Sequence, residues 1–477
     1  MPKQTIPITL IKGDDFVNDA VDYRDAIPVN MYGIPKPILG ASGYMHQMYG
    51  LDEFGTGYGI DRGGIWCARE GLEGHYRVSG NKFIVVSNTG ETTVLGTIEG
   101  FDQCSMCYSF DDVIICGNFQ LFYWNPTKGF RQIESGGVVG KPTFVTWVSR
   151  FTVLTDGKDI YHNTLADPEL FRPEDRSEPQ FTPDTVLSLA KNEDGELVVF
   201  SEFSVQHYID VGNVDRFSFQ DLPRKTSKVG VLGNFCQAEL EGIYYILGSR
   251  EETAPSCHMY SMGTATKIAS REIELVLGEY TDDELSASTI DAFTADKTEF
   301  VIFHFPRNTY MFNATVAKTH GADNAWTKLK TGTTGDKPFR ARNMVRDPRI
   351  GEWLCGDIND SKIGLLSNLT SVQYGEISEW LLFTPFLMLE RLSIDRFEIQ
   401  IVPGIVSPDE DATVFVSRTE DGRTYGQEWT ELYGHAWNYN QRFIVRRFGY
   451  VRHWMGFKLR GASRSRMAFG LFTLDVS

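Results

Sequence analysis

Lys82-Phe-Ile-Val-Val-Ser, closed by Asn88-Thr-Gly90, is a short run of β-formers ended by a tight polar turn, and the chain returns to that pattern six more times. The other instances are Asp112-Val-Ile-Ile-Cys before Gly117-Asn118, Arg150-Phe-Thr-Val-Leu before Asp156-Gly157, and Glu196-Leu-Val-Val-Phe before Gln206-His-Tyr208. Gly242-Ile-Tyr-Tyr-Ile-Leu precedes Gly248, Thr298-Glu-Phe-Val-Ile-Phe precedes Tyr310-Met-Phe312, and Gly351-Glu-Trp-Leu-Cys precedes Asp360-Ser-Lys-Ile-Gly364. Runs of β-branched and aromatic residues bounded by Gly, Asn and Asp are strands, and two runs across a short turn make a hairpin. The units begin about 30 to 56 residues apart, a spacing that suits four-stranded propeller blades with loop insertions better than the short coils of a β-helix. The pattern predicts an all-β protein whose residues 51–375 form an irregular β-propeller of six or seven blades. Two tandem β-sandwiches would also give short strands with turn signals, but the repeat continues without a break in composition. No Trp-Asp or Gly-His signature recurs.

The flanks read differently. Residues 1–50 are proline-rich and weakly periodic, with Ile27-Pro-Val-Asn-Met31, Pro35-Lys-Pro37 and Ser42-Gly-Tyr44. Proline fixes φ and removes a donor, so an extended N-terminal arm draped on a surface is expected, or a strand that closes the ring. Residues 376–477 alternate as a β-sandwich does, through Trp380-Leu-Leu-Phe-Thr-Pro-Phe-Leu-Met-Leu, Arg396-Phe-Glu-Ile-Gln-Ile-Val, Thr413-Val-Phe-Val-Ser417 and Phe457-Lys-Leu-Arg460. Helix is scarce, and Ile268 to Leu285 is the best candidate.

At 477 residues, 42% of them hydrophobic, the chain can bury more than one core. Neither a signal-peptide pattern nor an apolar run of bilayer-spanning length occurs, so a soluble chain made in the cytosol, with no membrane anchor, is expected. Seven scattered cysteines do not resemble a secreted disulfide framework; reduced, buried thiols are expected. The net charge of −17 argues against a general nucleic-acid binder. Yet residues 441–477 hold eight bases against one acid, Asp475, a local +7 that leaves −24 on the remainder.

Chemistry is hard to find. Cys104-Ser-Met-Cys107 has half the spacing of a zinc site but no second pair, and its β context does not suit a redox motif. No nucleophile elbow, zincin helix or phosphate loop appears. The acidic turns Asn192-Glu-Asp-Gly195 and Ser407-Pro-Asp-Glu-Asp411 lack the ligand order of a calcium loop. Ser417-Arg-Thr-Glu-Asp-Gly-Arg-Thr-Tyr425 looks loosely like the Asp-box of sialidase-like propellers, but it occurs once and outside the repeats. A carbohydrate-binding or sialidase-like propeller is therefore the alternative reading, and it would need two carboxylates facing a sugar. No catalytic residue, metal site or cofactor is expected. The C-terminal run Arg446-Arg-Phe-Gly-Tyr-Val-Arg-His-Trp-Met-Gly-Phe-Lys-Leu-Arg460 interleaves cations with aromatics. Such a run can grip single-stranded nucleic acid, anchor a protein interface, or simply be a strand with one solvated face.

Further residues carry a resemblance. Pro28-Val-Asn-Met31, Pro35-Lys-Pro-Ile-Leu39 and Ser42-Gly-Tyr44 near the start, then Asp156-Gly-Lys-Asp159, Glu178-Pro-Gln180 and Asp184, then Leu382-Phe-Thr-Pro385, Thr419-Glu-Asp-Gly-Arg-Thr-Tyr-Gly426 and Gly456-Phe-Lys-Leu-Arg460 follow in order. Together they resemble the packaged-DNA stabilization proteins, the tail accessory factors or tail hub proteins of short-tailed double-stranded DNA phages. The likeness is patchy but collinear, and weakest from about Gly50 to Arg150. It implies a non-enzymatic virion protein of the tail, assembled in the host cytoplasm as a homo-oligomeric ring, hexameric, beneath the portal and its adaptor ring. Such a ring closes the channel, retains packaged DNA that passes through without sequence-specific binding, and carries the tail needle and tailspikes. The residues expected at protein interfaces are Pro28, Asn30, Met31 and Tyr44 of the arm, with Arg446, Arg447, Arg452, Trp454 and Arg460 of the basic run.

Overall fold

The computed structural model describes residues 4–8, 27–37, 43–134, 137–179, 181–182, 184–213, 216–402, 406–422 and 424–477, with the backbone alone for 4–8. Most of the arm, including Ile38, Leu39 and Ser42, lies outside these residues, as do Gln180 and Arg423. Among the described residues seven four-stranded antiparallel sheets follow one another, and each of the seven repeat units falls in a different one. The propeller has seven blades. Six of the units are the central hairpin of their blade. The unit at Lys82 is instead the third strand of the first blade, because the second strand, Gly74–Ser79, hides His75 and Arg77 in its interior and so lacks the β-former pattern.

First strands mark the inner side of the ring. Asp61–Cys67 of the first blade touches Ser105–Tyr108 of the second on one flank and Ala341–Asp347 of the seventh on the other. The seventh blade takes three strands from residues 341–367 and its fourth from Gly50–Thr56, paired from Ser367↔Gly50 to Lys362↔Thr56. A strand from the start of the chain thus closes the circle, which leaves no open edge between first and last blades.

The described parts of the arm are extended, but they are built into a sheet rather than draped on a surface. Met31–Ile34 pairs with Tyr44–Gln47, which pairs with the last strand, Ala468–Val476, while Gln4–Ile8 runs along that same strand. The physical reason is apolar: Met31 and Met45 enter one core with Phe397 and Phe469, so burial outweighs the weak periodicity around them. The second sheet of the sandwich contains Glu379–Phe383, Ala412–Thr419, Glu428–Gly434 and Trp454–Ala462. The helix expected from Ile268 to Leu285 is split in two, Arg271–Leu277 and Asp282–Ser286. Thr281 restarts it through a capping box with Glu284.

Candidate functional site

The seam between first and last blades is polar. Arg77, fully buried, donates Nε to Asp61 Oδ1 at 2.8 Å and Nη2 to Asp61 Oδ2 at 2.9 Å, and Nη2 also reaches the Asn343 carbonyl at 3.0 Å. Asn343 in turn donates Nδ2 to Asp61 at 2.6 Å and its backbone N–H to Asp291 at 3.0 Å, and Asp291 also holds His304 at 3.0 Å. Three blades are joined by one network of charge-assisted bonds. Burial and the nearby Arg342 cation outweigh the Asp291 bond and hold His304 down to about 4, while the partners of Asp291 depress its carboxyl despite burial. His304 is therefore neutral near pH 7.

A cavity of about 600 Å³ opens beside this seam, bounded by Gln103, Asn118, Phe119, Asn234, Phe235 and Arg342 among others. Asp102 is the one carboxylate among its described lining residues, so it offers no facing pair to a sugar. The Asp421-Gly422 turn lies in the sandwich, where the Thr419 hydroxyl accepts the Gly422 N–H at 2.8 Å and Gly422 adopts φ 74°. It shapes a hairpin. Cys104 and Cys107 are buried on or beside a blade strand, and burial pushes the Cys104 thiol up to about 11. Among the described residues no group of three His, Cys, Asp or Glu is placed to hold a metal, and no helix is long and apolar enough to cross a membrane.

The nine expected interface residues separate into two sets. Asn30 and Met31 are interior: Asn30 Nδ2 donates to the carbonyls of Lys330 at 3.0 Å and Glu379 at 2.8 Å, and its Oδ1 accepts the Lys330 N–H. Their side chains join propeller to sandwich within one chain, which corrects the expectation that they face a neighbour. Pro28 contributes its carbonyl to the same joint through the Lys328 N–H, and Tyr44 is half-buried in the arm's strand. The residue that secures this joint, Arg466, carries no sequence signal beyond being one of the eight bases of residues 441–477. Arg466 is buried with no ion pair among the described residues; it donates to the Gln47 and Asn368 carbonyls and the Tyr32 hydroxyl and lies 4.1 Å from the Tyr49 ring centre.

The basic run divides as well. Arg460 is half-buried and bidentate to Glu428 at 2.7 Å, over the Phe415 ring. Arg442 is likewise taken by Glu398. Arg446, Arg447 and Arg452 are exposed and make no ion pair among the described residues, and Trp454 is exposed beside them. A bulge explains the doubled arginine. Across Phe443–Val451 the register slips between Arg396↔Arg446 and Ile394↔Gly449, Arg447 takes φ 64°, and Arg418 donates to the freed Phe448 carbonyl. Neighbours on a regular strand face opposite sides; here both face water.

A seven-bladed propeller closed by the strand Gly50–Thr56, followed by a β-sandwich on which Arg446, Arg447, Arg452 and Trp454 are exposed, defines a propeller–sandwich protein. The chain belongs to the Bacteriophage P22 Gp10 family: the family's beta-propeller model matches residues 4–371 and its beta-sandwich model residues 379–477. It is 27% identical over 483 residues to the tail hub protein gp10 of Salmonella phage P22, covering 98% of both chains. Solved structures are similar at a distance. A streptogramin B lyase structure aligns at TM-score 0.44 with 12% identity, covering 67% of this chain and 98% of that one. An inactive virginiamycin B lyase from Staphylococcus aureus aligns at 0.42 with 11% identity, over 68% and 99%.

Proposed function

We propose that this chain is a structural subunit of a short phage tail, part of a hub ring beneath the portal and its adaptor. The observation that carries the reading is the match to a tail hub protein along 98% of both chains, through propeller and sandwich alike. In this reading copies of the chain form a ring, hexameric, that closes the channel after packaging, retains the DNA and carries the needle and tailspikes. Residues 1–50 act as the tie between parts, 51–375 as the rigid body and 376–477 as the displayed domain. The chain has no enzymatic part in this scheme. Exposed Arg446, Arg447, Arg452 and Trp454 serve as contact residues, with Arg460 and Tyr44 at the margins.

Fractionation of assembled particles tests the proposal. The chain is expected to sediment with portal and adaptor in several copies per tail, and particles made without it are expected to lose their DNA. A chain that stays outside the particle and never joins a portal–adaptor complex refutes it.

A further inference from the structure

Phe101 is 97% exposed, yet its loop is firmly held. Buried Arg62 donates Nε to the Asp102 carbonyl at 2.7 Å, Nη1 to those of Ile98 at 2.8 Å and Gly80 at 3.0 Å, and Nη2 to that of Glu99 at 3.3 Å. A buried cation spent on four carbonyls fixes a loop whose central side chain touches almost nothing in its own chain. Next to it, Asn118 and Phe119 form a two-residue turn with φ of 51° and 57°, a conformation that favours glycine at the second position. Phe119 is nonetheless there, 53% exposed. The two loops meet, since a Cβ on Gly100 would lie 3.2 Å from the Asn118 side chain. Exposed Tyr58 and Ile60 extend the patch across Gly80, whose N–H donates to the Ile60 carbonyl at 2.8 Å. Glu99 and Asp102 flank Phe101 and make no ion pair among the described residues; Lys141 lies 5.7 Å over the Phe119 ring, and Arg342 lines the cavity that Asp102 and Phe119 share. Backbone strain and exposed aromatics on one rigid rim are the marks of a contact site.

The sandwich tip has the converse pattern. Met388 pairs with Trp454, and Ser393 with Tyr450, so three exposed apolar side chains, Met388, Tyr450 and Trp454, share the end at which Arg446, Arg447 and Arg452 stand free. Glu390 is an exposed acid nearby, and Glu420 and Asp421, exposed as well, follow Thr419 where it pairs with Gly456. Resting on the ring reading above, we infer that the Arg446–Trp454 tip of one copy docks on the Phe101–Phe119 patch of the next. Apolar centre meets apolar centre, and a cationic rim meets an acidic one on a body that carries −24 outside residues 441–477. The two surfaces differ, so the contact is heterologous and repeats from copy to copy, as a ring requires.

Cysteine pairing in assembled tails tests this. All seven native cysteines are buried, so the background is low. Tails built from a chain carrying both Phe101→Cys and Trp454→Cys are expected to give a ladder of disulfide-linked copies on non-reducing gels, absent from either single variant. In solution, Arg447→Glu is expected to weaken self-association about tenfold, and Asp102→Arg added to it to restore most of the loss. Several copies per tail without a ladder overturn the inference and leave the ring reading standing. One copy per tail removes the ring itself. A tip that binds duplex DNA with steep salt dependence while the ladder is missing overturns the inference in favour of nucleic acid.

Discussion

The closing seam of the propeller and the free end of the sandwich are both built on arginine, and they use it in opposite ways. At the seam Arg77 meets two carboxylate oxygens and a carbonyl with no water access, so its charge is wholly compensated inside the chain. At the tip Arg446, Arg447 and Arg452 meet nothing charged among the described residues. A buried cation without partners is too costly to persist, whereas an exposed one costs little and remains available. Compensation ties Arg77 to the fold, while Arg446, Arg447 and Arg452 enter no ion pair among the described residues.

Breaking the seam should have the largest effect. Arg77→Ala strands Asp61 in the interior and is expected to lower stability by about 3–5 kcal/mol, read from urea unfolding; a loss below about 1 kcal/mol would contradict the seam's role. Removing the arm's anchor comes next: Met31→Ala leaves a cavity in the shared core and should cost roughly 2–5 kcal/mol. A loss no greater than that of a surface substitution would show the joint to be loose.

Acid should weaken the seam through His304 and the arm's strand in the sandwich sheet through His46. His304 and His46 are both held down to about 4 by burial, so the unfolded chain binds protons that the folded chain does not as pH falls from about 6.5 toward 4. The depressed carboxyl of Asp291 acts in the same direction at lower pH. Stability is expected to drop on acidification over that window, by roughly 2–3 kcal/mol per histidine at its lower end. Urea midpoints that stay level between pH 7.5 and 5 would refute it.

A smaller effect should carry the opposite sign. Arg447 holds a left-handed backbone at the bulge, so Arg447→Gly is expected to stabilise the chain by about 1 kcal/mol while weakening assembly. Arg446→Ala should leave the unfolding midpoint within about 0.5 kcal/mol of unchanged. A destabilising Arg447→Gly would mean that the bulge is held by packing of the arginine stem, and the contrast with Arg77 would then shrink.

The hairpins were legible because each central strand is apolar on both faces, as Leu197–Ser201 and Val113–Gly117 are, and the flanking Gly, Asn and Asp announce the turns. Gly74–Ser79 was not legible as a strand, since Arg77 is acceptable there only because Asp61 on the adjacent strand and Asn343 on the neighbouring blade receive it. For the same reason nothing local in the sequence separates Arg466 from the surface bases: its partners, the Gln47 and Asn368 carbonyls, lie far off along the chain. The unpaired arginines were visible as a basic, aromatic run, but the bulge that turns two of them the same way was not. Phe101 carried no sequence signal at all, because a phenylalanine between a glycine and an aspartate is ordinary until its exposure is known.

The sequence by itself determined the repeated blades, the terminal sandwich and the uneven charge, since those follow from local alternation and counting. Tertiary structure alone decided that there are seven blades, that Gly50–Thr56 closes the ring, that the arm completes the sandwich, and which arginines are spent inside. Those outcomes depend on residues hundreds of positions apart satisfying one another's hydrogen bonds and charges, and no local pattern records a partner that distant.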